Sequence, residues 1–389
     1  MKNRMLRSFL PVGHGAFYCE QFKIDGYDEK INIVYDCGAK KKTLVQQYIK
    51  QNFDQGETIH ALFISHLHDD HINGVPELLK YCNVKKIFFP LLSDEMKLVT
   101  AIYNAAGEDK NNFSASFAWN PEETLERLVL HDKPILYRIE VGSMEGEEGL
   151  GNIVEPQEDE KYGRNISSGC DVVELVRHSL SSTGTQSMDW VFIPYNYECE
   201  DRKNLLLSEL AMQFKKTMTV EELEDIWKRG NKAEFDKIKK AYEKVAPSHN
   251  PYTMTLYSGP QNDASIRIVH PRYIEWKYRC IFEYGWDWIP GCLYTGDYDA
   301  KDKKMWNGLR QGYKKYWSSI SCVQIPHHGS KDNYNPKFAD MDAFFVISAK
   351  EGDAKHPAPS VVKDLRMSGY DPFVVTEKSE SALHFIIQF

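Results

Sequence analysis

The 389-residue chain reads as an α/β protein of the α+β kind, and three observations predict this. Short runs rich in β-branched and aromatic residues (61–65, 84–90, 190–194) recur between polar segments, as strands do. Helix-start signals alternate with them: Asn73-Gly74-Val75-Pro76 places proline in a first turn, and Thr219-Val220-Glu221-Glu222 has capping-box spacing. A hydrophobic content of 42 %, with 13 % aromatic residues, supplies a sizeable core for one large domain.

The elements follow in order. The first ~100 residues read β-rich, and the apolar run 61–65 is a buried strand. Directly behind it comes His66-Leu67-His68-Asp69-Asp70-His71-Ile72, then a helix from about 73 to 80 and a strand at 84–90. From 105 to 170 the signal weakens into acidic, glycine-bearing loops around short strands, and 171–176 and 190–194 again look extended. Residues 203–246 carry three helical stripes: Leu206, Leu207, Leu210 and Phe214; then Leu223, Ile226 and Trp227; then Phe235, Ile238, Tyr242 and Val245. They read as three short helices within an insertion spanning 105–250. Their stripes are expected to pack on the body of the fold, with a substrate cap or a surface for a homodimer or protein partner as the alternative. Strands follow at 254–257, 266–269 and 341–348, a helix at 360–368 ends on Gly369, and 373–389 reads as a closing hairpin.

The 66–72 segment crowds three imidazoles and its carboxylates where a strand turns into a helix, which is unfavourable unless a cation holds them. In an extended run His66 and His68 point to one face. The chain then bends, so Asp70 and His71 reach a second point nearby. Two divalent ions, at the ~3.5–4 Å spacing of two-metal hydrolases, are the expectation. A His/Asp-rich surface turn is the plainer alternative.

His66-x-His68-x-Asp70-His71 resembles the signature of the metallo-β-lactamase superfamily of hydrolases. Further segments fall in that family's order: 31–38 ending in Asp36-Cys37-Gly38, then Thr295-Gly296-Asp297, then His327-His328-Gly329-Ser330, then Lys355-His356-Pro357. The resemblance implies a four-layer αβ/βα sandwich over residues 1–389 with the helical part at about 203–246 inserted. Thr-Gly-Asp, His-His-Gly-Ser and Pro11-Val12-Gly13-His14-Gly15-Ala16 are most similar to the hydrolase domain of the bacterial DNA-uptake channel proteins, with His14 where that group has Gln.

By this resemblance His66 and His68 hold one ion, Asp70, His71 and His328 the other, and Asp297 bridges them. The ions are zinc or manganese, and a hydroxide held between them attacks phosphorus or a carbonyl carbon. Asp36 is expected to orient a metal histidine, His327 to orient a partner or contact substrate, and Gly329 with Ser330 to hold a phosphate oxygen. His356 is a candidate proton donor or phosphate contact, and His14 approaches from its glycine-flanked loop. One departure stands out: the family's middle histidine is absent, Gln261-Asn262-Asp263-Ala264-Ser265 occupying its place. His270 is the substitute to test, ahead of His131 and His178.

Composition sets limits. A net charge of −8 argues against wholesale coating of nucleic acid, although Lys40-Lys41-Lys42 and Lys301 to Lys304 offer local positive charge. No run approaches the ~20 apolar residues of a membrane span, and no secretory apolar region follows the N-terminus. Eight cysteines without Cys-x-x-Cys pairs fit a reduced, cytoplasmic protein. The expected activity is phosphodiester hydrolysis, on a nucleic acid or nucleotide. Hydrolysis of a carboxylic ester, lactone, lactam or thioester is the second reading, and a non-catalytic metal-binding sensor or partner subunit the third.

Overall fold

Two sheets face each other across a buried aromatic layer, and helices cover both outer faces. The computed structural model describes residues 3–25, 30–106, 109–128, 130, 132–143, 151–157, 163–177, 190–245, 252–261, 267–273 (as backbone) and 289–388. In chain order come β1 (Arg4–Phe9), β2 (Gly15–Lys23), β3 (Ile31–Ala39), α1 (Lys42–Asn52), β4 (Thr58–Ile59), β5 (Ala61–Phe63), α2 (Asp69–Ile72), α3 (Val75–Tyr81), β6 (Asn83–Val84), β7 (Lys86–Pro90), α4 (Asp94–Ala105), α5 (Phe113–Trp119), α6 (Pro121–Glu126), β8 (Ile135–Ile139), β9 (Asn165–Ile166) and α7 (Val173–Arg177). There follow β10 (Trp190–Glu198), α8 (Glu200–Phe214), α9 (Val220–Arg229), α10 (Lys232–Val245), β11 (Tyr252–Pro260), β12 (Arg267–Tyr273), β13 (Gly291–Tyr294), α11 (Lys303–Gly312), β14 (Ile320–Gln324), β15 (Phe344–Ser348), α12 (Pro359–Met367), β16 (Phe373–Val375) and β17 (Leu383–Gln388).

Among the described residues, the first large sheet runs β12-β17-β1-β2-β3-β5-β7-β8-β9 and the second β10-β11-β13-β14-β15-β16, while β4 and β6 pair separately. Each large sheet is antiparallel at one end and parallel at the other, β3-β5-β7-β8-β9 and β13-β14-β15-β16 forming the parallel parts. Phe63, Phe88 and Tyr137 from the first sheet pack against Phe192, Leu256 and Tyr294 from the second. One buried ion pair, Arg7 with its cross-strand neighbour Glu20 in the first sheet, faces this layer. Arg7 donates to Glu20 at 2.7 Å and to the carbonyls of Pro290 and Ser258, and Tyr294 donates to the same carboxylate. Every charge there has a partner, as burial demands. The outer face of the first sheet is covered by α1, α3, α4 and α5, that of the second by α11 and α12. This is the expected four-layer αβ/βα sandwich.

The helical segment joins β10 to β11, which are paired antiparallel neighbours in the second sheet. Its helices cross to the layer on the first sheet, where Leu206, Leu210, Leu223, Ile226, Phe235 and Ile238 are buried in the same core as α4. The apolar stripes therefore pack within the chain, with Leu207, Phe214, Trp227 and Val245 partly buried against the same core. The capping box at Thr219 and Glu222 is formed as the spacing predicts. Elsewhere in 105–250, β8 and β9 extend the first sheet, and β10 edges the second.

Two expectations about elements are corrected. The segment 171–176 is not a strand. Asp171 Oδ1 accepts the backbone N–H groups of Val173 and Phe192, turning the chain into the short helix α7. Nor is 373–389 a hairpin: β16 pairs with β15 in one sheet and β17 with β1 in the other. Alternation alone does not say which sheet a strand joins. Among the described residues, no helix is long and apolar enough to cross a membrane.

Candidate metal centre

The site is built at the ends of β3, β5, β13 and β14. Strand β3 carries a bulge at Asp36, whose φ of 54° lies in the left-handed region. That conformation costs on the order of 1–3 kcal/mol. Three bonds offset it: Asp36 accepts Ser65 N–H at 2.7 Å, the Ser65 hydroxyl at 2.7 Å and His71 Nδ1–H at 2.8 Å. Two residues on, Gly38 lets the histidine loop lie directly on the strand, since a Cβ there would stand 2.5 Å from the Asp70 carbonyl oxygen. Gly15 meets the same carbonyl from β2.

Four histidines share one arrangement, with Nδ1 tied to the protein and Nε2 turned inward. His71 is held by Asp36, His66 by the Ser65 hydroxyl at 2.9 Å, His328 by the Ser348 carbonyl at 2.9 Å and His327 by the Asn333 side-chain oxygen at 3.0 Å. Such outer contacts fix tautomer and ring orientation in metal sites. Asp297 is the meeting point. Its Oδ1 lies 3.5 Å from His71 Nε2, and its Oδ2 lies 3.5 Å from His66 Nε2 and 3.9 Å from His327 Nε2. His66 Nε2, His71 Nε2 and Asp297 Oδ1 are buried, and none has a hydrogen-bond partner among the described residues. Buried polar atoms without partners are rare and call for an explanation.

Two overlapping sets of donors each lie within 4.8 Å of one another: His66, His71 and Asp297, and Asp70, His71 and His328. Electrostatics are consistent with tight mutual coupling. Burial alone would lower the His71 pKa, but Asp297, Asp36 and Asp70 outweigh it and raise it to about 10. Burial would raise Asp297, yet the surrounding histidines hold it well below the usual carboxylate range. Burial keeps His328 down at about 3 and pushes His66 well below its ordinary value, so both are neutral donors.

Several expected roles change. His68 joins neither donor set; its Nε2 shares a 2.9 Å hydrogen bond with the Tyr242 hydroxyl of α10, and its ring packs on Tyr103. The structure thus brings His66 into a donor set and leaves His68 beside it, because an element far along the chain reaches the second ring. The 327–328 pair lies beyond β14. The strand ends at Gln324, and His327, His328 and Gly329 all have positive φ, so both imidazoles face the centre. The Gly329 amide donates to Pro326 and the Ser330 amide to His327, while Ser330 Oγ accepts from Asp332. These bonds hold the turn beside the centre. The His356 pKa is lowered to about 4, first by burial and then by His327 and His14, so near neutral pH the ring is neutral, with one N–H donor and one acceptor nitrogen.

His270 is not the missing histidine. Its backbone sits on the edge strand β12, five strand spacings from β5, on the order of 24 Å away. Residues 262–266, His131 and His178 lie outside the described residues. The lysine candidates have acidic neighbours: Lys42 is 3.8 Å from Asp69, Lys301 3.7 Å from Asp332 and Lys304 2.9 Å from Asp201. Asn333, Ser65, Ser348 and Tyr242 were not anticipated. Ser65 adjoins the histidine segment and was open to notice, whereas the others act across long sequence separations.

Comparison with curated proteins finds no match. Among solved structures, the chain is similar to unliganded yeast PDE1, with 9 % identity, complete coverage (100 %) of both chains and a TM-score of 0.40. It is also similar to MEM-A1, a subclass B3 metallo-β-lactamase from a soil metagenome library, with 9 % identity over 93 % of this chain and 90 % of that one and a TM-score of 0.32. The figures for the metallo-β-lactamase MIM-1 from Novosphingobium pentaromativorans are 10 % identity, 94 % and 86 % coverage, and a TM-score of 0.32. Residues 24–109, from just after β2 through the histidine loop to just past α4, match the family model of the metallo-β-lactamase superfamily, and the architecture around them is the metallo-β-lactamase fold.

Proposed function

We propose that the chain is a metal-dependent hydrolase acting on a phosphodiester in a nucleotide or nucleic acid. The observation that carries it is the convergence of buried, unpartnered Nε2 atoms of His66 and His71 on Asp297. Imidazole and carboxylate donors suit zinc or manganese, His71 giving up its Nε2 proton to the ion it would hold. Asp70, His71 and His328 would hold one cation. His66 and Asp297 would hold the other, with His68 joining them once Tyr242 releases its ring. Cations bound there supply water with a pKa lowered to about 7 and neutralise charge that builds on a substrate oxygen.

The remaining work falls to the protein. Asp36, Ser65 and Ser348 aim the buried rings, and Asn333 aims His327. His327 (side chain 19 % exposed) forms the rim of the centre beside His356 and meets an incoming substrate first. Asp70 is only partly buried and completes the second donor set. The phosphodiester preference is supported by the resemblance of Thr295-Gly296-Asp297 and His327-His328-Gly329-Ser330 to the DNA-uptake hydrolases. A net charge of −8 favours a short nucleotide over a long duplex, because a polyanion is repelled at low salt. A cytosolic setting belongs to the same reading, since the seven described cysteines are all unbridged and six of them are buried.

The test is a substrate panel with zinc or manganese: bis-p-nitrophenyl phosphate, a dinucleotide, single- and double-stranded DNA, RNA and a chromogenic lactam. Turnover of the phosphodiesters is expected, fastest with the small ones. Turnover of the lactam alone removes the phosphodiester reading.

A further inference from the structure

A separate set of inward-facing donors lies beside the centre. His14, on the loop entering β2, has a side chain only 7 % exposed, and neither ring nitrogen has a hydrogen-bond partner among the described residues. Its Nε2 stands 3.8 Å from Asp353 Oδ2, too far for a hydrogen bond. Asp353 is fixed through its other oxygen, which accepts the backbone N–H groups of Lys355 at 2.7 Å and His356 at 2.9 Å. That same oxygen is 3.8 Å from His356 Nδ1. One donor atom from each of the three residues lies within 4.8 Å of the others.

These separations have a chemical meaning. Tetrahedral ligands about 2.1 Å from a zinc ion stand about 3.4 Å apart. At separations of up to 4.8 Å the three donors stand wider than in a filled site, so a bound ion would draw them together. Burial first and then Lys40 lower the His14 pKa against Asp353, Asp70 and Glu377, which favours the neutral ring that a cation needs as a ligand. His14 stacks on His328 at 4.7 Å and His356 on His327 at 5.7 Å, so the set flanks the centre without sharing a residue with it.

We propose that His14, Asp353 and His356 form a further divalent-cation site, distinct from the centre around Asp297, with an open position toward substrate. With three protein ligands, a zinc or manganese ion there keeps a coordination position for an anionic oxygen. Occupancy of the site does not depend on the hydrolase reading; only its role as an anchor for substrate oxygen rests on that reading.

The test is metal stoichiometry and position. Protein stripped with chelator is titrated with zinc, bound equivalents are read by elemental analysis, and crystals soaked in zinc are examined at its absorption edge. Asp353→Asn and His356→Gln alter partly exposed side chains, and an unchanged thermal midpoint verifies their fold. Each is expected to bind one equivalent fewer than the unaltered protein and to lose an anomalous peak between His14, Asp353 and His356 while keeping density at Asp297. His71→Ala is expected to show the opposite, losing density at Asp297 and keeping the flanking peak. Absence of the flanking peak in the unaltered protein, or equal stoichiometry in Asp353→Asn, overturns the proposal. Undiminished binding at Asp297 in His71→Ala counts against the central donor set and not against this one.

Discussion

At the residue scale, Asp36 shows how one side chain sets the geometry of a site it does not line. It takes a left-handed conformation, ties Ser65 through two bonds and fixes the His71 ring. Removing such an outer partner typically costs 10–100-fold in metal affinity. Asp36→Ala is therefore expected to weaken metal binding by roughly that factor in a competition titration against a chromophoric chelator. Tyr242 acts in the other direction. Its hydroxyl occupies His68 Nε2, so Tyr242→Phe is expected to tighten the weaker of the central metal equivalents, by about tenfold if one hydrogen bond is relieved. Unchanged affinity would mean that His68 is not a ligand at all. Most of the site's residue types were legible, because imidazoles and carboxylates stand in short motifs at strand ends. Asn333, Ser348 and Tyr242 were not, since nothing local marks an amide, a carbonyl or a phenol that meets a histidine across the fold.

At the element scale, periodicity located the helices better than it located the strands' partners. The three helices of 200–245 stand where their stripes place them, with the first beginning at Glu200. Their attachment to the core around α4 can be measured: Ile226 is 2 % exposed, and Ile226→Ala is expected to cost about 2–5 kcal/mol in urea unfolding. The segment 171–176 was misread because Asp171 turns the chain, which no alternation pattern encodes. Its carboxyl also gives a pH signature. Burial raises its pKa from 3.8 to about 6, against the opposing effect of two backbone N–H bonds. A carboxyl with a raised folded pKa contributes stability below pH 4 that is lost as pH rises through 6. Asp171→Asn keeps an acceptor oxygen for the Val173 and Phe192 amides. It is expected to be more stable than the unaltered protein at pH 8, by at most about 3 kcal/mol, with the advantage vanishing below about pH 4. Parallel urea titrations at the two pH values measure that difference.

At the scale of the whole molecule, the sandwich brings together residues 14, 66–71, 297, 327–328 and 353–356 by stacking two sheets whose strand ends meet at one edge. The order of motifs foretold this convergence, and the family resemblance that those motifs carry foretold the four-layer packing. Which strand joined which sheet was decided by long-range pairing, as β16 and β17 show. Global charge also matters: at −8 the molecule repels polyanions at a distance, so catalysis on a long nucleic acid should improve as salt screens that field. The central claim is that Asp297, with the imidazoles around it, holds the cations on which hydrolysis depends. Turnover of bis-p-nitrophenyl phosphate, measured before and after chelation and on readdition of zinc or manganese, tests it most directly when Asp70→Ala is assayed alongside. The account predicts activity that disappears with the metal, returns with it, and falls by at least about 100-fold in Asp70→Ala. Turnover that persists in chelator, or that Asp70→Ala retains in full, would contradict it.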